Sequence, residues 1–301
     1  MIPFNKPFLT GNEIKYLKKA NELCQFAGDG FFTRKCKKWL EKNTSCYSAL
    51  LTNSCTAALE MAAILADIKK GDEIIMPSYT FVSTANAFTL RGGKPIFADI
   101  NPRTLNIDTN YIERLINKRT KAIVPVHYAG FGCDMDQINK LAKKYNLLVI
   151  EDAAQGVMSE YKGKALGSIG DLGCYSFHET KNIMAGEGGA LLINNKKFLE
   201  RAEYIREKGT NRSLFDKGLI NKYTWVDIGS SFLPGELTAA FLLAQMEQAE
   251  RITKERLKIW HYYQKGLTEI AEEGLVSIPY CQEDRIHNGH LFYLIHPSSY
   301  E

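Results

Sequence analysis

Short apolar runs alternate with longer amphipathic segments between about residues 47 and 150. The runs predict buried strands at 47–51, 73–76, 95–98, 122–126 and 147–150. The segments between them carry apolar residues at helical spacing and predict helices at 56–65, 81–90, 111–116 and 135–145. Buried strands that alternate with helices are typical of a mainly parallel sheet covered by helices on both faces. The pattern therefore predicts an α/β fold.

The remainder of the chain has mostly helical periodicity. Helices are predicted at 14–24 and through Trp39 and Leu40 before the first strand, and at 198–207 after the last. One long helix at 237–270 has the length of a connector between a large and a small domain, and strand-like runs follow at 275–278 and 291–295. We therefore expect a large domain over residues 1–240, and a connecting helix with a small domain over residues 241–301.

Composition and charge exclude several classes of protein. The 301 residues are 45% hydrophobic, which is enough for a sizeable core. The net charge of +4 comes from scattered lysines and arginines, and this argues against a nucleic-acid partner, which would require a concentrated basic stripe. There is no run of about 18 apolar residues and no charged-then-apolar amino terminus. We therefore expect a cytoplasmic protein without membrane insertion.

The cysteines and histidines form no pattern that is typical of a metal site. The seven cysteines include no C-x-x-C pair and are odd in number, which predicts reduced thiols rather than a disulfide framework or a zinc site. His287 and His290 are three residues apart, but no neighbouring carboxylate or cysteine completes a ligand set, so we interpret them as part of a polar loop. We predict no metal.

Chemistry-bearing residues follow the predicted strands, at the edge where open α/β sheets bind ligands. No G-x-G-x-x-G follows any strand, which argues against a nicotinamide-dinucleotide site. After 47–51, small residues at 53–58 open a helix whose amides, with the Thr56 hydroxyl, could cradle a phosphate; the alternative is an ordinary N-cap. After 147–150, Asp152 could keep a pyridine nitrogen protonated, or could cap a helix, and Gln155 could bond a ring oxygen.

A lysine and an aromatic residue complete this set. The aromatics of residues 77–81 could stack on a flat ring or belong to the core. Lys181 lies five residues after Ser176, in a stretch at 174–194 that has an apolar lead-in and a glycine-bearing turn. Burial there would lower the lysine pKa and free a nucleophile for imine formation, whereas a solvated surface lysine is the alternative. The phosphate cradle, the aromatics, the aspartate, the serine and the lysine all follow strands of one predicted sheet. Their joint occurrence indicates a ligand site more specifically than any one of them does.

These segments resemble a known family. Residues 2–7, 76–86, 177–182, 206–212 and 223–225 are similar to the DegT/DnrJ/EryC1/StrS sugar aminotransferases, and the resemblance extends to about Arg256. It implies a fold-type I pyridoxal-phosphate enzyme with a large, mainly parallel sheet domain and a carboxyl-terminal small domain. Because members of this family continue beyond the position of Glu301, we expect the small domain to be truncated.

The resemblance implies a role for each residue of the set. Lys181 would form the internal aldimine with pyridoxal 5′-phosphate and later move the proton between substrate and cofactor carbons. Asp152 would pair with the pyridinium nitrogen, Gln155 would lie beside the ring hydroxyl, and Phe81 would stack on the ring. A lysine at 181, where dehydrating relatives carry histidine, argues for transamination.

The resemblance also implies how the phosphate is held. Cys55 and Thr56 would bind it through their amides and the threonine hydroxyl, together with Ser176. Ser231 stands where relatives commonly have an asparagine that reaches the phosphate of a second subunit. We therefore expect a homodimer with shared active sites.

The implied substrates are L-glutamate, as amino donor, and a dTDP-linked keto sugar. The amino group would pass to the 4-keto carbon of dTDP-4-keto-6-deoxy-D-glucose and give dTDP-4-amino-4,6-dideoxy-D-galactose for a surface polysaccharide such as enterobacterial common antigen. Lys208 and Arg212 are hypothesised to bind the nucleotide diphosphate, and the alternative is that they are exposed loop cations.

Two other interpretations stay open at this point. A truncated chain could be a remnant that binds pyridoxal phosphate and is catalytically impaired, because all the cofactor residues precede the truncation. A non-enzymatic interaction protein that shares the fold is disfavoured, since it would have no reason to keep the lysine, the aspartate and the phosphate cradle together.

Overall fold

The computed structural model of the protein describes residues 5–296. In chain order, its strands are β1 (Ser48–Thr52), β2 (Glu73–Pro77), β3 (Lys94–Ala98), β4 (Thr120–Ile123), β5 (Leu148–Asp152), β6 (Glu160–Tyr161), β7 (Lys164–Ala165), β8 (Leu172–Ser176), β9 (Gly189–Ile193) and β10 (Arg285–Ile286). Its α-helices are α1 (Glu13–Glu22), α2 (Phe31–Thr44), α3 (Cys55–Leu65), α4 (Val82–Thr89), α5 (Thr109–Leu115), α6 (Met135–Tyr145), α7 (Leu199–Arg206), α8 (Arg212–Asp216), α9 (Glu236–Met246) and α10 (Ala249–Glu272).

Seven strands form one twisted sheet in the order β1-β9-β8-β5-β4-β2-β3. The pairs β2–β3, β2–β4, β4–β5 and β5–β8 are parallel, whereas β9 runs antiparallel to both of its neighbours, β1 and β8. Consequently β1 points the same way as the parallel strands, and six carboxyl ends lie along one edge. The predicted α/β class with a mainly parallel sheet is confirmed.

Two apolar layers cover the sheet. One layer contains residues of α2, α6 and α9, such as Leu40, Ile138 and Leu243, and the other is formed largely by α3 with Phe88 of α4 and Ala202 of α7. Strands β2, β8 and β9 are buried along their whole length, which is why their sequences, apart from Glu73 and Ser176 at strand ends, are apolar rather than alternating. The large side chains inside the two layers fix the positions of the strand ends that carry the site.

A carboxylate from α9 caps the amino terminus of α2. The buried Glu236 side chain accepts hydrogen bonds from the amides of Gly30 (3.1 Å), Phe32 (2.7 Å) and Thr33 (2.9 Å), and from the Thr33 hydroxyl. The first amides of a helix have no partner within the helix, and a carboxylate also interacts favourably with the positive end of the helix dipole. Glu236 therefore joins the beginning of the chain to the helices that follow the sheet.

The structure differs from the sequence predictions in three places. The predicted helix at 237–270 is two helices, α9 and α10, interrupted at residues 247–248, where Glu247 accepts a hydrogen bond from Tyr16 of α1 (2.6 Å). Apolar spacing continues across this interruption, so periodicity alone could not detect it. The predicted strands at 275–278 and 291–295 are reduced to one bridge between Ser277 and Ile295. Strand β8 and the small sheet β10-β6-β7 were not among the predicted strands.

No helix within residues 5–296 is both long enough and apolar enough to cross a membrane. The seven cysteines all lie in this range, and none forms a disulfide. The same residues contain no group of three or more histidine, cysteine or acidic side chains that could hold a metal ion.

Candidate active site

A cavity of about 550 Å³ opens at the carboxyl edge of the large sheet. It lies where β1, β2, β5 and β8 end and where α3 and α4 begin. Seven of the predicted site residues line it, namely Cys55, Thr56, Phe81, Asp152, Gln155, Ser176 and Lys181. Cys55 and Lys181, which are 126 positions apart in the sequence, meet here because the carboxyl ends of parallel strands lie at one edge of the sheet.

The turn between β1 and α3 leaves two amides free at the start of a helix. The Ser54 side chain is the N-cap and accepts from the Ala57 amide (3.0 Å), so the N-cap alternative is correct for Ser54. The amides of Cys55 and Thr56 bond to no acceptor among residues 5–296. Free amides at a helix amino terminus attract an anion through the helix dipole. The cap and the anion cradle therefore coexist in this turn.

Close packing at this turn requires a glycine on the neighbouring strand. Gly189 begins β9, and a Cβ atom placed on it would lie 2.3 Å from the Ser54 carbonyl carbon and 2.5 Å from the Cys55 nitrogen. Any other residue would push the start of α3 away from the sheet. Gly189, part of the glycine-bearing turn in the stretch at 174–194, thus allows the cradle to form.

Asp152 is the last residue of β5 and is buried beneath the cavity. Its Oδ2 atom accepts a hydrogen bond from the Thr84 hydroxyl of α4 (2.6 Å), and its Oδ1 atom accepts one from the Ala154 amide (3.1 Å). A carboxylate has about four lone-pair sites, so these two bonds leave capacity for a further donor. An acceptor with spare capacity in a cavity is suited to hold a protonated ring nitrogen.

Glu151, the preceding residue, points to the opposite face of the sheet and is fully buried. It accepts hydrogen bonds from the His127 ring (2.8 Å) and from three amides of the loop before β8, those of Gly167 (2.9 Å), Ile169 (2.7 Å) and Gly170 (2.6 Å). The Cys133 amide donates to His127 Nδ1 (3.1 Å), which assigns the proton of the neutral ring to Nε2 and makes that atom the donor to Glu151. Glu151 therefore anchors the loop.

Lys181 lies in the turn between β8 and β9, with its side chain mostly buried at the cavity. Its amine forms no hydrogen bond or ion pair with the residues that the structure describes. Burial lowers the pKa of Lys181, although the nearby Cys55 and Asp152 oppose this shift. A buried amine with a lowered pKa is more often neutral and therefore nucleophilic.

A buried polar network holds the residue after this lysine against the end of the chain. The Asn182 amide group donates to the Asn288 carbonyl oxygen (2.9 Å), and its Oδ1 atom accepts from His290 Nδ1 (2.8 Å). The Asn288 side chain in turn donates to the carbonyl oxygens of Gln155 and Val157, both at 2.8 Å. These bonds tie Lys181 and Gln155 to one tail segment.

His287 and His290 lie in a loop that also carries Asn288, as interpreted from the sequence, but this loop is buried. Both are almost completely buried, at 6% and 7% exposure. Burial lowers the pKa of His287 to about 4, with a smaller effect of His261. Burial also lowers the pKa of His290 to about 3, and the positive charges of Lys181 and Arg256 lower it further. Sequence spacing could not reveal this, because the two residues are buried by contacts with α10 and the Lys181 turn.

Three other predicted residues have free capacity toward the cavity. Gln155 uses its Oε1 atom to accept from the Ala129 amide, and its NH2 group has no acceptor among residues 5–296. The Ser176 hydroxyl, at the end of β8, accepts only a long bond of 3.4 Å from the His178 amide. Phe81, the N-cap of α4, is 75% exposed although it lines the cavity. An exposed ring here is available for stacking on a ligand.

Tyr79 belongs to the aromatics of residues 77–81 that the sequence indicated, whereas the lining residues Thr80, Thr84 and Tyr128 were not singled out. Tyr79 and Tyr128 join their hydroxyl groups at 2.9 Å on one wall, and Thr80 and Thr84 lie beside Asp152. The available signal was that Thr80 closely follows the end of β2 and that Thr84 lies on α4, the next helix. Tyr128 follows a β4 prediction that extended to Val126, whereas the strand ends at Ile123.

Ser231, Lys208 and Arg212 do not line this cavity. Ser231 is exposed, and its carbonyl oxygen accepts from the Asn53 side chain (2.9 Å). Lys208 pairs with the adjacent Glu207 at 3.1 Å, and Arg212 pairs with Asp216 at 3.5 Å. Their predicted roles in phosphate and nucleotide binding therefore have no support from contacts within one chain.

Comparison with known proteins gives a consistent result. The sequence pattern described as "DegT/DnrJ/EryC1/StrS aminotransferase family" matches residues 9–301. The uncharacterised protein MJ1066 of Methanocaldococcus jannaschii is 38% identical over 82% of this chain, which spans 64% of that protein's length. GDP-perosamine synthase of Escherichia coli O157:H7 is 34% identical over 90% of this chain and 72% of its own length. The X-ray structure of the aminotransferase from Psychrobacter cryohalolentis is 28% identical and has a TM-score of 0.92 over 98% of this chain and 78% of that one.

Proposed function

This chain belongs to the DegT/DnrJ/EryC1/StrS aminotransferase family, and on that premise we propose that it transfers an amino group to the keto carbon of a nucleotide-linked sugar, with L-glutamate as the donor. The cofactor of such an enzyme is pyridoxal 5′-phosphate. One observation carries the proposal. The unpaired amine of Lys181 shares a cavity with a carboxylate that has spare capacity, Asp152, and with the free amides that begin α3.

The residues around the cavity fit this cofactor. The free amides of Cys55 and Thr56 suit a phosphate dianion, and the Ser176 hydroxyl is available beside them. Asp152 would hold the ring nitrogen, the Gln155 NH2 group would donate to the ring oxygen, and the exposed ring of Phe81 would stack on the pyridine. Each group that the cofactor requires thus has a counterpart with an unused donor, acceptor or face.

The mechanism follows from what these side chains can do. The bound cofactor supplies an electron sink for breaking the C–H bond beside the substrate nitrogen. Lys181 would hold the cofactor through its amine, and the same amine would accept and return the proton of the substrate C–H bond. Its lowered pKa makes the amine able to accept that proton. Asp152 would retain the proton on the ring nitrogen, and Phe81 would exclude water from one face of the ring.

The nucleotide sugar is the finer part of the proposal. We propose dTDP-4-keto-6-deoxy-D-glucose as acceptor and dTDP-4-amino-4,6-dideoxy-D-galactose as product, for a surface polysaccharide. The resemblance of residues 76–86 and 206–212 supports the dTDP sugar. GDP-perosamine synthase, a relative 34% identical, is named for a GDP-linked sugar, so the test must compare both nucleotides.

We further propose that the enzyme is a homodimer with shared active sites. Ser231, which is exposed and lies outside its own cavity, would reach the phosphate in the partner subunit. Lys208 and Arg212 would bind the nucleotide diphosphate. The division into a large domain over residues 1–240 and a connecting helix with a small domain over residues 241–301 belongs to the same proposal.

An absorbance titration tests the function. The purified chain is mixed with pyridoxal phosphate, and the spectrum is recorded before and after L-glutamate is added, with Lys181→Ala as the control. We expect a band that depends on Lys181 and that glutamate converts to the spectrum of the amine form of the cofactor. Adding dTDP-4-keto-6-deoxyglucose or its GDP counterpart should restore the band, and the faster of the two identifies the nucleotide. A wild-type spectrum identical to that of Lys181→Ala would contradict the proposal.

A further inference from the structure

Two threonine hydroxyls form a chain of hydrogen bonds that ends on Asp152. Thr80 and Thr84 join their Oγ1 atoms at 2.7 Å, and the Thr84 Oγ1 atom lies 2.6 Å from Asp152 Oδ2. Thr84 is fully buried and Asp152 is 5% exposed, so water does not compete for these bonds. Both threonines line the cavity, and neither belongs to the set of cofactor contacts described above.

The direction of this chain is determined by chemistry. An ionised carboxylate only accepts hydrogen bonds, so the Thr84 proton must point to Asp152. The Thr84 oxygen is then free to accept, and the Thr80 proton must point to Thr84. A hydroxyl that accepts one bond becomes a better donor in the next, and bonds to a charged acceptor are about twice as strong as neutral ones. The two hydroxyls therefore act together to stabilise the anion.

Thr84 does not make the bond to its own helix that Thr44, Thr89 and Thr268 make; like Thr33, which donates to Glu236, it donates to a carboxylate instead. Thr44, Thr89 and Thr268 each donate to the carbonyl oxygen four residues earlier in their own helix, at 2.8, 3.0 and 2.7 Å. This is the usual bond of a helical threonine hydroxyl. Thr84 instead donates across to strand β5, 68 residues away. Its hydroxyl is thus committed to Asp152 and not to its own helix.

We propose that Thr84, supported by Thr80, is a positioning residue that fixes Asp152 as an anion in one orientation before the cofactor binds. The inference rests on the proposed function, in which Asp152 pairs with the ring nitrogen. Without the Thr84 bond, Oδ2 would lose the one donor it has among residues 5–296, and only the Ala154 amide on Oδ1 would restrain rotation of the carboxylate about its Cβ–Cγ bond. Part of the affinity for pyridoxal phosphate is therefore determined by a hydroxyl that does not contact the cofactor.

The test is a double-mutant cycle read out by the dissociation constant of pyridoxal phosphate and by the absorbance maximum of the bound cofactor. Thr84→Val removes the hydroxyl at nearly constant shape, and we expect about ten-fold weaker binding, in line with the loss of one hydrogen bond to a charged group. Thr84→Ser keeps a hydroxyl, so its dissociation constant for pyridoxal phosphate should lie within about two-fold of the wild-type value. In an Asp152→Asn background, Thr84→Val should cause no further weakening.

Thr89→Val is the matched control, since Thr89 lies on the same helix and bonds only its own backbone, and it should leave the constant unchanged. If Thr84→Val does not fold, Thr80→Val tests the far end of the chain and should weaken binding about two- to three-fold. Unchanged binding in Thr84→Val, or equal weakening with and without Asp152→Asn, would overturn the inference while leaving the proposed function intact. A wild-type protein that lacks the Lys181-dependent band would refute the proposed function and, with it, this inference.

Discussion

The two faces of strand β5 carry adjacent carboxylates with opposite surroundings. Glu151 faces the closed side of the sheet, where four donors use all of its accepting capacity. Asp152 faces the cavity, where two donors leave part of its capacity unused. Both are almost completely buried, so burial alone does not distinguish them. The number of unused lone pairs separates the carboxylate that holds the fold together from the one that can hold a ligand.

The same distinction applies to other buried polar groups of the chain. Glu236 is saturated by the start of α2, and Asn288 by the loop after β5 and by the tail. In contrast, the Lys181 amine and the Gln155 NH2 group have no partner among the described residues. A site can therefore be recognised as the place where a well-satisfied interior leaves several donors and acceptors open together.

The largest effect is expected for Glu151→Gln. A side-chain amide has one acceptor oxygen, so its NH2 group must face amides that themselves only donate, and at least one buried donor loses its partner. We expect the free energy of unfolding to fall by about 3–5 kcal/mol, as measured by urea denaturation. The neighbouring Asp152→Asn is the matched control and should change the midpoint little. Equal midpoints for the two variants would contradict the comparison.

Asp152→Asn should show the converse result, with the fold retained and turnover lost. An asparagine cannot stabilise the positive charge of a protonated ring nitrogen, so we expect the transamination rate to fall about 10²–10³-fold, the usual cost of losing one electrostatic contact at a reacting group. Single-turnover absorbance with glutamate measures this rate. A variant with wild-type turnover would show that the unused capacity of Asp152 has no chemical role.

The smallest effect, counted per pH unit, is the change of stability with pH that comes from the buried loop with His287 and His290. His287 and His290 have folded pKa values lowered to about 4 and about 3. Below their unfolded pKa of about 6.5, the unfolded chain binds protons that the folded chain refuses, so stability falls as the pH falls. Two such groups contribute at most about 2.7 kcal/mol per pH unit between pH 6 and 4.

The double variant His287→Gln/His290→Gln isolates this contribution. Its free energy of unfolding should depend less steeply on pH than that of the wild type in this acid range, and the two slopes should agree above pH 7. Denaturant midpoints at each pH give the comparison. Parallel curves over the whole range would show that neither histidine is buried in solution.

The strands and the order of the site residues could be predicted because each depends on local sequence. Apolar runs predicted β1 to β5 to within a few residues. Because the carboxyl ends of parallel strands lie at one edge of the sheet, Asp152, Lys181 and the α3 amides could be expected to meet there. The Thr84–Asp152 bond could not be predicted, because it depends on the rotation of α4 relative to β5. The interruption at residues 247–248 was missed because apolar spacing continues through it.

The contact between Asn182 and His290 affects the order in which a growing chain can fold. The two residues are 108 positions apart, and a ribosome adds about 5–20 residues per second, so the partner of Asn182 arrives roughly 5–20 seconds later. During that interval the turn that carries Lys181 has local bonds, such as that from the Lys181 amide to the His178 carbonyl (2.9 Å), and a bond from the Asn5 side chain to the Glu179 carbonyl (3.2 Å). Contacts of such long range form late in folding. Lys181 therefore reaches its final setting after the sheet that surrounds it has been synthesised.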